Sequence, residues 1–276
     1  MSVPRKLLLV GIDGLRIDDA LRAPAMAPRL AAFASAGALL PMTMEVPTIS
    51  GPGWSSILTG TRLAEHGVVD NLFEGHRLRA HQDLLSRAAD TRPGCTTFAA
   101  VDWPPLVDPD GPGPILTPRP DHAGAHVVGA HVVVARDGET RGYEPMDAEI
   151  AAAAREHLRE AGPDVSFVYL GEVDEAGHRY GGIAPEYTAA IVRVDALLGG
   201  ILDVVDERAQ THGEDWLVAV TTDHGHVDAG GHGGGSAVER RSFLALGRFG
   251  GDDPLPSGPV APHEVRDLLL ADLGRA

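Results

Sequence analysis

A single cysteine, Cys95, in 276 residues excludes any intrachain disulfide. That scarcity fits a reducing compartment, and a lone thiol reads as a small buried hydrophobe rather than a nucleophile. Basic side chains are also scarce: 23 Lys and Arg stand against 39 Asp and Glu, a formal charge of −16. Such a surface repels polyanions, and no Lys/Arg cluster offers a local exception, which excludes a nucleic-acid polymer as partner. Most of these acidic groups serve solubility. Long apolar runs are missing as well, for nothing approaches the roughly 18 residues of a membrane span. The run 7–12 is too short for a secretion signal and ends in Asp13 rather than at a small-residue cleavage point. The expectation is a cytoplasmic protein with no membrane partner.

What is present is a hydrophobic fraction of 43%, enough for a core of ordinary size. The length suits one α/β domain across 1–276. Apolar runs at 7–12, 165–170 and 216–220 are short and continuous, the pattern of parallel strands buried on both faces. Helices are expected from Pro28, with Leu30, Phe33 and Ala34 on one face and Gly37 at the end, then at 54–59, 146–158, about 185–205 and 262–273. A second strand is expected at 42–46 and an edge strand at 242–246. The alternation predicts a doubly wound, mostly parallel sheet sandwiched by helices. Residues 104–145 differ, because Pro104, Pro105, Pro109, Pro112, Pro114, Pro118 and Pro120 break regular structure. Valines at 127–128 and 132–134 suggest a hairpin, and the stretch reads as an insertion or lid. Its His122, His126 and His131 read as solvated loop histidines.

Each of the three apolar runs leads to an aspartate: Asp13, Asp174 and Asp223. His178 lies four residues after Asp174, and His224 and His232 follow Asp223. In open α/β sheets the C-terminal strand ends line the binding crevice. A helical turn puts Asp174 and His178 on one face. Asp223 and His224 would point opposite ways on a strand, so they converge only where the strand has ended, and Gly225 permits that turn. His232 lies in a glycine run, where backbone approaches closely. Singly each feature is ordinary, since a strand-end aspartate is often a cap or turn former. Together, three carboxylates and three imidazoles after three strand ends read as a site for two divalent metal ions. Zinc suits these donors, with manganese or iron as alternatives. His212 and His226 are left as solvated or outer-lying histidines. Ser50, in the turn 47–53 before a helix, sits where backbone N–H groups favour anions.

These blocks resemble the alkaline phosphatase superfamily, and within it the type I phosphodiesterase/nucleotide pyrophosphatase group. The resemblance is carried by Gly11-Ile12-Asp13-Gly14-Leu15-Arg16, by Ala27-Pro28-Arg29-Leu30, and by the stretch from Pro47-Thr48-Ile49-Ser50-Gly51-Pro52-Gly53-Trp54 to Gly60. It continues through Glu65-His66-Gly67-Val68-Val69-Asp70-Asn71, Asp174-Glu175-Ala176-Gly177-His178 and Thr222-Asp223-His224-Gly225. It implies an alkaline-phosphatase-like α/β fold and a metal-dependent hydrolase of small phosphate esters. Asp13, Asp223, His224 and the Ser50 oxygen would hold one metal; Asp174, His178 and His232 would hold the other. Ser50 would be the nucleophile, passing through a covalent phosphoryl-serine, with Thr48 as the competing hydroxyl. Asn71 and backbone N–H groups near Gly51 would hold phosphoryl oxygens. A serine hydroxyl is a poor nucleophile until a metal lowers its pKa, and two ions about 4 Å apart can clamp an in-line displacement. Only Arg16 and Arg179 join the motifs, which favours a diester over a monoester. A phosphomonoesterase or phosphonoacetate-hydrolase-like enzyme is the alternative, and a catalytically silent metal-binding protein is the alternative outside enzymes.

Overall fold

Continuous apolar runs demand cover on both faces, and the sheet places them accordingly. The computed structural model describes residues 3–22, 26–116 and 131–274. Among these a seven-stranded sheet has the order β2 (Ala38–Thr43), β7 (Arg241–Phe249), β6 (Asp215–Thr221), β1 (Arg5–Ile12), β5 (Val165–Leu170), β3 (Thr97–Val101), β4 (His131–Ala135). The five strands from β6 to β4 run parallel, and β7 alone is reversed against both neighbours. Leu8, Val10 and Ile12 of β1 enter one core, with α1 (Ile17–Arg22), α2 (Pro28–Ala36), α7 (Tyr143–Ala161), α8 (Glu172–Tyr180) and α9 (Pro185–His212). Leu7 and Leu9 enter the opposite core, with α3 (Ser50–Thr59), α5 (Leu84–Thr91) and α11 (Val265–Leu273). The period of two along β1 thus feeds two separate apolar layers, the doubly wound arrangement expected. Short helices α4 (Leu63–His66), α6 (Gly138–Arg141) and α10 (Ala237–Arg240) lie in connections. No helix among the described residues is long and apolar enough to cross a membrane.

Several expectations are corrected. The second strand lies at Ala38–Thr43, not 42–46, because pairing with β7 runs from Ala38 opposite Leu246 to Thr43 opposite Arg241. The expected edge strand at 242–246 is internal, with β6 on one side and β2 on the other. Its run Phe243-Leu244-Ala245-Leu246 is wholly buried, as two covered faces require. Residues 132–134 belong to β4, which adds in parallel beside β3. The partner arm at 127–128 lies outside the described residues, as do His122 and His126. His131 opens β4 and hydrogen-bonds Thr97 Oγ1 through Nδ1 at 2.8 Å, rather than sitting solvated in a loop. α3 starts at Ser50, four residues earlier than expected, since Pro52 is tolerated in a first turn.

The register positions the site. Ile12 pairs with Leu170 and Gly11 with Thr221, so the C-terminal ends of β5, β1 and β6 are level and adjacent. The three aspartates that follow them are therefore neighbours in space.

Candidate active site

Asp13 follows directly on β1, and its N–H donates to Leu170 O at 3.0 Å, tying it to the end of β5. Its carboxylate is fixed from one side: Trp54 Nε1–H and the Tyr169 hydroxyl both donate to Oδ2, at 2.9 and 2.6 Å. Gly11 makes room for this, since a Cβ there would lie 2.4 Å from the Trp54 ring. Oδ1 is buried with no hydrogen-bond partner. It lies 3.4 Å from His224 Nε2. The same imidazole nitrogen is 3.3 Å from Asp223 Oδ2, also buried without a partner, and 3.3 Å from Ser50 Oγ. Adjacent Asp223 and His224 converge as anticipated, past the end of β6. Burial, then the charge of Asp174, pushes the Asp13 carboxyl up to about 7. Burial, then the charges of Asp13 and Asp174, holds Asp223 well above the usual carboxylate range. Burial also keeps His224 neutral, far below the ordinary imidazole value. Carboxyl oxygens crowded without donors around an imidazole that burial keeps neutral are a donor set that fits a divalent cation.

A second cage lies beside the first. His178 Nε2 is 3.4 Å from Asp174 Oδ2 and 2.8 Å from His232 Nε2, and His232 Nε2 is 3.5 Å from Asp174 Oδ1. His232 Nδ1–H donates to Thr48 O at 2.7 Å, which leaves the Nε2 lone pair facing Asp174 and His178. Against the upward push of burial, hydrogen bonds from His178 and His226 hold Asp174 well below the usual carboxylate range. His226, which the sequence left aside, is wholly buried here with Nε2 2.8 Å from Asp174 Oδ1. Ligand-capable atoms of Asp174, His224, His226 and His232 lie within 4.8 Å of one another, as do those of Asp13, Asp223 and His224.

Ser50 and Thr48 are separated by what they touch. Thr48 Oγ1 donates to Gly234 O at 2.8 Å and accepts from Gly233 N–H at 3.1 Å, so it staples the glycine loop that carries His232. Ser50 Oγ faces the first cage. Near Gly51, where backbone N–H groups are expected to hold phosphoryl oxygens, two such groups have partners within the chain. Gly51 N–H donates to Asn71 Oδ1 at 2.7 Å, Pro52 has no N–H, and Gly53 N–H goes to Ile49 O at 2.9 Å. With Oδ1 taken, the exposed Asn71 presents its Nδ2 hydrogens outward.

A further carboxylate pair supports α8, the helix that carries Asp174 and His178. Buried Asp147 of α7 accepts from Gly171 N–H at 2.8 Å and Glu172 N–H at 3.1 Å, capping the start of α8. Asp102, one residue past β3, is wholly buried with neither oxygen hydrogen-bonded by a donor. Burial, then the charge of Asp147, holds Asp102 well above the carboxylate range. A raised folded-state pKa means that the folded chain binds the extra proton, so this group's effect on stability becomes more unfavourable as pH rises above the unfolded value. Asp102→Asn is expected to raise stability at pH 8 by about 1–3 kcal/mol and to leave it unchanged below pH about 4, where both forms are neutral. Thermal unfolding across that pH range checks it, and an equal effect at both extremes contradicts it.

A family model described as type I phosphodiesterase / nucleotide pyrophosphatase matches residues 7–234. The human ectonucleotide pyrophosphatase/phosphodiesterase family member 7 is 27% identical over 241 residues, which cover 80% of this chain and 47% of that protein. The chain spans less than half the length of the curated relatives it matches. Among solved structures, an inactive form of murine ectonucleotide pyrophosphatase/phosphodiesterase 5 in complex with AMP superimposes with a TM-score of 0.70 at 16% identity, covering 99% of this chain and 96% of that one. Phosphonoacetate hydrolase from Sinorhizobium meliloti 1021, in complex with phosphonoformate, gives a TM-score of 0.58 at 18% identity, covering 81% and 57%. Both share the fold.

Proposed function

The chain belongs to the type I phosphodiesterase/nucleotide pyrophosphatase family, and from that premise we propose that it hydrolyses small-molecule phosphodiesters with Ser50 as nucleophile and two divalent cations, zinc being the ion best suited to the donors. The observation that carries the reading is the convergence of Ser50 Oγ, Asp13 Oδ1 and Asp223 Oδ2 on His224 Nε2, each within 3.3–3.4 Å. Asp13, Asp223, His224 and Ser50 would hold one cation and Asp174, His178 and His232 the other. Bound there, the pair supplies Lewis-acid activation of the serine hydroxyl and neutralises charge on the attacking and leaving oxygens. Ser50 Oγ then forms a bond to phosphorus as the bond to the leaving oxygen breaks, and the serine proton ends on the departing alcohol. Water next attacks phosphorus, the bond to Oγ breaks, and a proton returns to Ser50 as the phosphate monoester leaves. Asn71 Nδ2 donates to a non-bridging oxygen, and Gly51 keeps that amide turned the right way.

The preference for a diester rests on the arginines. Arg16 is committed to Asp19 and Asp228, each at 2.8 Å, and Arg179 pairs with Glu175 at 3.5 Å. Neither is free to neutralise the additional charge of a monoester. The solved relative that holds AMP points to nucleotide-like substrates. We expect an aryl phosphodiester to be turned over at least about tenfold better in kcat/KM than the matching monoester, with both ions measured on the same sample. A monoester turned over faster would move the protein to the phosphomonoesterase reading.

A further inference from the structure

His226 lies two residues past a cage residue and has no part in the scheme above. Its imidazole is wholly buried, in a slot walled by glycine. A Cβ on Gly14 would lie 2.8 Å from Nε2, and one on Gly177 would lie 2.5 Å from the same atom. Gly177 sits inside α8, between Asp174 and His178, where glycine is a poor helix former. The ring accounts for its presence there. His226 Nδ1 is buried with no partner. An N–H in that position would be a stranded donor, so the proton sits on Nε2, 2.8 Å from Asp174 Oδ1. His232 gives its Nδ1–H to Thr48 O and turns Nε2 toward Asp174 and His178, whereas the Nε2 of His226 is already engaged by Asp174 Oδ1.

We propose that His226 is a positioning residue for the second cage: its Nε2–H takes Asp174 Oδ1 and so fixes the carboxylate with Oδ2 beside His178, in the cage that would hold the second cation. The inference rests on the two-cation reading above. It assigns His226 the part that Trp54 and Tyr169 play for Asp13, where two donors take Oδ2 and leave Oδ1 to the cage.

The test compares His226→Met, which fills the slot without a donor, with His226→Gln, whose amide reaches a similar point and still donates. Metal-stripped proteins are reloaded with Zn²⁺, and each ion's affinity is read by competition with a chromophoric chelator. His226→Met is expected to weaken one of the two ions by about 10–100-fold and to spare the other, while His226→Gln stays within about threefold of the parent. Gly177→Ala, which drives a methyl into the ring, is expected to weaken the same ion. Thermal midpoints in chelator show whether each variant folds. Parent-like binding by His226→Met would overturn the proposal, because the ring would then only fill space. Equal losses in Met and Gln variants would overturn it too, making His226 a ligand itself. A parent protein that holds fewer than two ions overturns the two-cation reading, and this inference with it.

Discussion

Replacing Ser50 by alanine is expected to lower diester turnover by about 10⁴-fold or more while leaving two cations bound. The retained metal follows from the geometry, since Asp13, Asp223 and His224 still face one another without the hydroxyl. The lost turnover follows because no other hydroxyl replaces it. Thr48, two residues away, is bound on both sides by the Gly233-Gly234 backbone. Mass spectrometry of acid-quenched reactions is expected to show a phosphorylated Ser50 peptide in the parent and none at Thr48. Parent-like turnover by the alanine variant would exclude the covalent route.

Asp223→Asn is expected to move activity and stability in opposite directions. Three carboxylates, Asp13, Asp174 and Asp223, are gathered at the ends of neighbouring strands, and two are wholly buried. Without a cation their repulsion opposes folding. The amide removes one charge, so in chelator the variant is expected to be more stable than the parent by about 1–2 kcal/mol. With metal restored, the parent regains its advantage by mass action, and the variant holds one ion fewer and turns over about 10³-fold more slowly. Calorimetry with and without chelator, and metal analysis of the same samples, check both halves. Equal stability in chelator would mean that the carboxylates are already relieved by some other means.

Much of this site was legible because its chemistry follows strand ends. Asp13, Asp174 and Asp223 each trail an apolar run, and level pairing of β1 with β5 and β6 turns that sequence pattern into proximity. A fourth run of the same kind, Phe98-Ala99-Ala100-Val101 before Asp102, is short and half alanine, so its β-forming signal is weak. Its strand lies beyond β5, which keeps Asp102 out of the cages. His226 was hidden for a different reason. Its partner Asp174 is 52 residues away, and the one local trace is the glycine at 177, inside an otherwise well-formed helix. β7 escaped placement because its short apolar centre, Phe243 to Leu246, reads alike at an edge or one position inside it; only the partner β2 distinguishes them.

The Thr48 staple couples the two cages mechanically. Thr48 holds the His232 ring by its carbonyl and the following glycine loop by its hydroxyl, and Ser50 lies two residues on, at the first turn of α3. The proposed nucleophile and a proposed ligand of the opposite cage are therefore tied to one short segment. Under the two-cation proposal, motion of that segment would shift both together: loosening the turn 47–53 would release an ion as well as misplace the serine. Loss of metal and loss of nucleophile alignment are then two readouts of one local unfolding event, and they share its free energy.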